Sequence, residues 1–294
     1  QIKRIANQIR QAKPDVLLFP MFHPWNSLIQ KTLWDIPSVV FVHDPRPHPD
    51  LAGRFYEKLE NASIRRASRC VILSETLKPH LAGRGVDSAR IDVIPLGPFP
   101  YATTGSGSEK QDRLPTLLFF GRIMPYKGLE TLLKAYARVR ETQACRLIVA
   151  GEGNLSTFRD LLAGLPDVEV VNRWIGEGEV GDFFVRSDLV ILPYESASQS
   201  GVIPIAATFG LPVIATRVGG LSEQVEDGVS GWLVPPENAD ALADAIREAL
   251  TQPAQARLRG QALKARYEKQ FGWEEISLRV VKILEMARQA RGPK

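Results

Sequence analysis

FFGRIMPYKGLETLLKAYARV, residues 119–139, decides the fold. An apolar strand runs into Gly121-Arg122, and Lys127-Gly128 opens a helix whose apolar residues recur on one face. Strand, glycine turn and amphipathic helix in that order make the βα unit of an open α/β sheet, in which ligands bind at the carboxyl ends of the strands. The helix start adds free backbone N–H groups and the positive end of its dipole. Arg122 and Lys127 flank one turn, so both reach a single anion, the guanidinium as a bidentate fork and the ammonium as a point charge. The ligand this suits is a diphosphate. Solvation of an ordinary loop is the competing reading of the same two residues.

A second anchor lies downstream in GLPVIATRVGGLSEQVEDGVSGWLVPPENADALADAIREAL, residues 210–250. Residues 212–216 read as a short apolar strand, Gly219-Gly220 permits close backbone approach at its end, and Ser222 is placed to cap a helix. Asp227-Gly228 makes a turn and Trp232-Leu233-Val234 returns as a strand stopped by Pro235-Pro236. A helix then starts at Asn238 or Ala239, with Leu242, Ile246 and Leu250 on one face. Between the two anchors, strands at 145–150, 168–172 and 189–193 alternate with helices at 155–162 and 177–186. With the strand at 116–120 and the helix at 128–142 they make a doubly wound sheet. Gly151-x-Gly153 is not a dinucleotide fingerprint, because Ser156 occupies the third glycine position, and it reads as a tight βα turn.

The first third alternates in the same way. Helices are expected over 2–10, 27–33, 51–67 and 75–83, and strands over 15–19, 38–42, 69–73 and 92–95, giving three or four parallel strands. Residues 98–113, PFPYATTGSGSEKQDR, are rich in Gly, Ser and Thr and carry no period. They divide the chain into a domain at 1–100, a linker at 101–113 and a domain at 114–294. Phe271, Trp273, Ile276, Val280, Ile283 and Leu284 mark a final helix whose apolar stripe is core packing, expected to return to the first domain.

Composition agrees with two ordinary α/β domains: 294 residues, 44% apolar and 24% charged, enough for two cores. Cys70 and Cys145 are the only cysteines, so neither a disulfide framework nor a zinc site is expected, and a reduced, cytoplasmic chain is the default. No run approaches the length needed to cross a bilayer. The net charge is +4 and the pI about 9.1. Basic groups at Arg65, Arg66 and Arg69 and along Arg257, Arg259, Lys264, Arg266 and Lys269 read as solvated helix faces or as peripheral contacts for anionic lipid head groups. No nucleic-acid partner is expected.

Four motifs, GR…KG, IVAGEG at 148–153, SDLVILPY at 187–194, and the run from GLPVIAT to GWLV, occur in one order along nearly the whole chain. In these the chain resembles the retaining glycosyltransferases of family 4, the glycosyl transferases group 1. The resemblance implies the GT-B fold, an α/β architecture of two Rossmann-like doubly wound domains facing a cleft. It also implies an incomplete N-terminal domain, because the family's opening strand, glycine-rich turn and further βα units have no counterpart before Gln1. A nucleoside-diphosphate sugar as donor, a hydroxyl of a glycan or lipid-linked acceptor, no cofactor and no metal are implied likewise.

His43 directly follows the strand SVVFV, where a side chain faces the ligand side of a sheet; a hydrogen-bonded loop histidine is the plainer reading. The resemblance makes His43 the catalytic candidate, with His48 as second choice. His23 and Trp25 are candidates for the acceptor side, Trp25 suiting sugar stacking as well as a core lid. For the donor the candidates are Gly121, Arg122 and Lys127, with Ile175 offering backbone to the base. The family's paired glutamates, separated by seven residues, map without a gap onto Ala197 and Ile205, so Glu195 is the sole nearby acid. In their place stands Gln199-Ser200-Gly201-Val202, where main-chain donors and the Ser200 hydroxyl are expected to contact the donor. The implied reaction is metal-independent sugar transfer with retention at the anomeric carbon. A nucleotide-sugar-binding module without turnover is the alternative, and an epimerase on the same scaffold a distant third.

Overall fold

The computed structural model describes residues 1–45, 51–103 and 113–290, so His48 and residues 104–112 of the expected linker lie outside the described residues. Two compact units result, one of Gln1–Pro95 with the stretch from Trp273, the other Leu96–Gly272.

In the first unit, β1 (Leu17–Phe19), β2 (Ser38–Val42), β3 (Arg69–Ile72) and β4 (Ile91–Val93) form a parallel sheet in the order β1-β2-β3-β4. Successive residues of a strand point to opposite faces. Accordingly Val40, Val42, Cys70 and Ile72 pack with Ile64 of α3 (Leu51–Arg66) and Leu81 of α4 (Lys78–Gly83). Val39 and Val71 meet Ile276, Ile283 and Ala287 of α12 (Trp273–Gln289) on the other face. α1 (Ile2–Gln11) and α2 (Asn26–Thr32) close the β1 side around Ala6, Leu17 and Leu33.

The second unit holds six parallel strands, β5 (Thr116–Phe120), β6 (Arg146–Ala150), β7 (Val168–Val171), β8 (Leu189–Leu192), β9 (Val213–Thr216) and β10 (Trp232–Val234). Their order is β10-β9-β8-β5-β6-β7. The chain leaves β5 toward β6 and β7, then crosses to β8 on the opposite side, which puts the topological switch point between β5 and β8. Both faces are covered, as a parallel sheet requires. Leu117, Phe119, Leu147, Val149 and Ile191 pack on α5 (Leu129–Arg140) and α10 (Ala239–Thr251). Leu118, Ile148, Val190 and Val213 pack on α7 (Glu177–Val185), α8 (Val202–Thr208) and α11 (Pro253–Gln270). Each such buried leucine or phenylalanine contributes about 2 kcal/mol. Asn238 caps α10 by accepting the Ala241 N–H at 2.9 Å, a contact worth about 1 kcal/mol.

Two local expectations change. Ser222 does not cap a helix: α9 (Leu221–Gln224) is four residues long, and Gly220 stands at its N-cap without a side-chain bond. The helix expected over 155–162 starts as a 3-10 turn at Ser156–Phe158 and continues as α6 (Arg159–Ala163). Among the described residues no helix is long and apolar enough to cross a membrane.

Candidate functional site

The carboxyl ends of β5, β6 and β8 are brought together by close backbone contacts that glycine alone permits. Gly121 has φ +106°, and a Cβ on Gly151, at φ +141°, would stand 2.1 Å from the Gly121 carbonyl oxygen. The Gly121 N–H donates to the Ala150 carbonyl at 2.9 Å and the Ile123 N–H to that of Glu152 at 2.8 Å, so the turns after β5 and β6 run side by side. The Asn172 amide fixes the second turn, accepting the Gly153 N–H and donating to the Gly153 carbonyl, each at 3.0 Å. Beyond Ile123 a 3-10 turn, Pro125–Lys127, ends at Gly128 with φ +66°. A Cβ there would lie 1.9 Å from the Pro193 carbonyl oxygen, so the start of α5 is seated against the end of β8.

Lys127 lies over this junction. Its ammonium stands 3.6 Å from the ring centroid of Tyr194 and 5.6 Å from that of Tyr126. Tyr194 is buried, so the ring is a fixed, largely dry platform. Burial pushes the Lys127 pKa down to about 8, and the neighbouring Arg122 guanidinium adds to the shift. Arg122 is exposed on the same turn. Neither cation is in an ion pair with a carboxylate among the described residues. A half-buried ammonium held beside a guanidinium, with no carboxylate partner among the described residues, has the electrostatics that suit an anion.

The loop between β8 and α8 forms the facing wall. Ser200 is 2% exposed. Its N–H donates to Gln224 Oε1 at 2.8 Å, and its carbonyl accepts from Gln224 Nε2 at 2.9 Å. The Ser200 hydroxyl lies 3.3 Å from the Tyr194 hydroxyl and accepts the Val202 N–H at 3.2 Å. The polar groups of Ser200 are therefore engaged inside the protein, leaving Gly201 and Gln199 to present donors and acceptors; Gln199 Oε1 is buried without a hydrogen-bond partner among the described residues. Val202 begins α8 with its side chain buried. A Cβ on Gly219, at φ +45°, would come within 1.8 Å of the Ala197 carbonyl oxygen, so the glycine pair after β9 does approach a backbone, that of this loop. Ala197 and Ile205 are buried in the apolar core. Glu195 is exposed; partial burial, then Glu237 and Glu130, raise its carboxyl pKa. Ile175, after β7, is half-buried against the same core, beyond the Arg173–Glu179 ion pair.

In the first unit, His43 follows β2 and Pro20 follows β1. A carbonyl only accepts, so His43 Nε2 donates to Pro20 O at 2.9 Å, which in the neutral imidazole makes Nδ1 the acceptor nitrogen. His23 Nδ1 accepts the Trp25 N–H at 3.1 Å, and the two rings meet edge to face at 5.4 Å. His43 and His23 are exposed and Trp25 is half-buried. The structure thus gathers Gly121, Arg122, Lys127, Glu195, Ser200, Gly201 and Val202 at one switch point, and His43, His23 and Trp25 at the carboxyl ends of β1 and β2. In the sequence Tyr194 stands only as the end of the motif SDLVILPY; its position two residues beyond β8, across the switch point from Arg122, is the signal that singles it out. For Gln224 no local signal exists, since its partner lies 24 positions away.

Comparison with known proteins follows the same division. Residues 114–252 match the family described as Glycosyl transferases group 1, and residues 2–97 the Glycosyl transferase 4-like domain. D-inositol 3-phosphate glycosyltransferase of Arthrobacter sp. (strain FB24) is 36% identical over 94% of this chain and 72% of its own length. The protein of the same description from Paenarthrobacter aurescens (strain TC1) is 29% identical over 84% of this chain, which spans 63% of that relative's length. Among solved structures, Anabaena HepE in complex with UDP matches with a TM-score of 0.79 at 19% identity, over 97% of this chain and 81% of that one. Sucrose-phosphate synthase from Thermosynechococcus elongatus gives 0.76 at 22% identity, over 97% of this chain and 76% of its own. Both likenesses are of fold.

Proposed function

Since the chain belongs to the group 1 glycosyl transferases and has the α/β fold of GT-B enzymes, we propose that it moves a sugar from a nucleoside-diphosphate donor to a hydroxyl acceptor on a glycan or lipid-linked glycan, with retention and without a metal. The observation that carries this reading is Lys127, half-buried on the Tyr194 ring beside Arg122 with no counter-charge among the described residues.

Charge develops where the donor breaks. The bond from the anomeric carbon to the diphosphate oxygen cleaves, the electron pair leaves with the diphosphate, and Arg122 and Lys127 stabilise the new negative charge, as a divalent cation does elsewhere. The acceptor oxygen bonds to the same face of the anomeric carbon, and its proton passes to the departing phosphate oxygen. His43 orients the reacting sugar, with Nδ1 as the acceptor for a sugar hydroxyl. His23 and Trp25 serve the acceptor side, and the backbone at Ile175 the base.

Calorimetric titration with UDP, GDP and ADP, each with and without EDTA, tests the reading, UDP first because a protein of the same fold was solved with it. One diphosphate is expected to bind equally well with EDTA, and the Arg122→Ala/Lys127→Ala double variant to lose most of that affinity while staying folded. Unchanged affinity in the double variant would overturn the donor-site assignment. A second reading, a nucleotide-sugar-binding module, is favoured by the replacement of both expected carboxylates by the buried Ala197 and Ile205. It predicts the same binding with neither sugar transfer nor donor hydrolysis.

A further inference from the structure

We infer that Gln224 is a positioning residue for the donor diphosphate, setting the loop that faces Lys127 through a two-point clamp on the Ser200 backbone. The inference rests on the donor-site reading above and goes beyond it by naming a residue that touches no ligand.

Every hydrogen-bonding atom of the Gln224 amide is committed. Oε1 accepts the Ser200 N–H at 2.8 Å, and Nε2 donates to the Ser200 carbonyl at 2.9 Å and to the Tyr267 hydroxyl at 3.1 Å. The side chain thereby mimics a neighbouring strand, satisfying both backbone groups of one residue in a loop that has no ladder of its own. Gln224 is 6% exposed, so the amide has left water and its bonds hold at the strength of a low-dielectric interior. A leucine would occupy the same space with no polar group to satisfy, so packing alone does not account for glutamine there.

What the clamp controls lies one contact further on. Ser200 Oγ meets the Tyr194 hydroxyl, and the face of the Tyr194 ring seats the Lys127 ammonium 3.6 Å from its centroid. Thr216 Oγ1 donates to the Tyr194 carbonyl and ties that residue to the end of β9. Gly201, whose N–H has no acceptor among the described residues, follows Ser200 directly. Gln224, Ser200, Tyr194 and Lys127 therefore form one contiguous chain from α9 to the anion site. It fixes the spacing between a free loop amide and a cation that would grip the same diphosphate. Holding such groups in place before the ligand arrives is where an electrostatic site gains its strength.

Tyr267 provides the control. Its hydroxyl bonds the same amide but not the loop, so Tyr267→Phe removes a buried hydrogen bond while leaving both Ser200 contacts intact. UDP, GDP and ADP are titrated into the native chain, Gln224→Leu, Gln224→Met and Tyr267→Phe, and Tm is recorded for each. The expected result is about tenfold or greater weakening of the bound diphosphate in both Gln224 variants, and less than about twofold in Tyr267→Phe. Native-like affinity in a folded Gln224 variant would overturn the positioning role and leave the donor site standing. So would affinity losses that track the loss of Tm equally at positions 224 and 267. Failure of the native chain to bind any of the three would overturn the donor-site reading itself, and this inference with it.

Discussion

Raising the pH from 7 to 9 should weaken diphosphate binding about tenfold through Lys127 alone. Its pKa of about 8 reflects burial first and Arg122 second. An unpaired ammonium of that pKa is roughly nine-tenths charged at pH 7 and one-tenth at pH 9. The diphosphate restores the missing counter-charge, so the bound lysine stays protonated across this range. Binding at pH 9 then takes up nearly one proton, against roughly a tenth of a proton at pH 7, and the affinity differs by about 1.4 kcal/mol. Calorimetry in buffers of different ionisation enthalpy reads the proton uptake directly. Lys127→Arg keeps a charge throughout, and any titration of the ligand appears equally in it, so the difference between native and variant isolates Lys127. Parallel pH profiles for the two proteins would refute the account. The free protein should move the opposite way. The unfolded lysine holds its proton up to about pH 10.4 and the folded one only to about 8, so between these values the unfolded state binds more protons and stability rises with pH.

Gly128→Ala combines a φ of +66° with a Cβ 1.9 Å from the Pro193 carbonyl oxygen, and should destabilise the second unit by roughly 2–4 kcal/mol in denaturant melts. Gly178→Ala, in α7 with nothing within 4 Å of its Cβ position, should stabilise the same unit by about 0.5–1 kcal/mol. His43→Ala should lower the transfer rate by about a hundredfold through lost orientation of the sugar while leaving the diphosphate Kd unchanged, which initial-rate kinetics beside calorimetry will separate. Tyr136→Phe removes the hydroxyl lying 2.9 Å from the Pro166 carbonyl and 3.0 Å from that of Cys145, and should cost about 1–2 kcal/mol with no change in ligand affinity.

The strands were legible because each is a short apolar run bracketed by Pro, Gly or charge, as with TLLFF between Pro115 and Gly121, now β5. α5 was legible for a related reason: Leu129, Leu132, Leu133, Tyr136 and Val139 make a wide stripe at helical spacing, and all are buried. α11 was legible only as a basic helix face. Its inner face is Ala256, Gly260, Leu263 and Tyr267, and a Cβ on Gly260 would sit 2.2 Å from the Gly210 carbonyl oxygen. That helix is seated by backbone approach rather than by a hydrophobic stripe, which leaves little periodicity to read. At the candidate site, Arg122 and Lys127 could be placed because a turn brings near neighbours in sequence together. The Tyr194 platform and the Gln224 clamp join three separate strand ends, and a contact of that kind has no spacing to betray it. Ser222 failed as a cap because the backbone around Gly219 is set by its approach to Ala197 rather than by the short helix that follows.

The last helix is out of sequence with the unit it completes. α12 covers Val39 and Val71 with Ile276, Ile283 and Ala287, yet Leu96–Gly272 stand between it and the rest of its unit. During synthesis the second unit, one uninterrupted segment, has all of its residues outside the ribosome before the first has its final layer. That face of the β1–β4 sheet therefore waits for α12 for the time needed to make some 180 residues, roughly 10–35 s at ordinary elongation rates. The contact order of the first unit is correspondingly high and its assembly is the slower one. A nascent chain stalled before Trp273 is thus expected to recruit a chaperone through the face of the β1–β4 sheet that α12 covers.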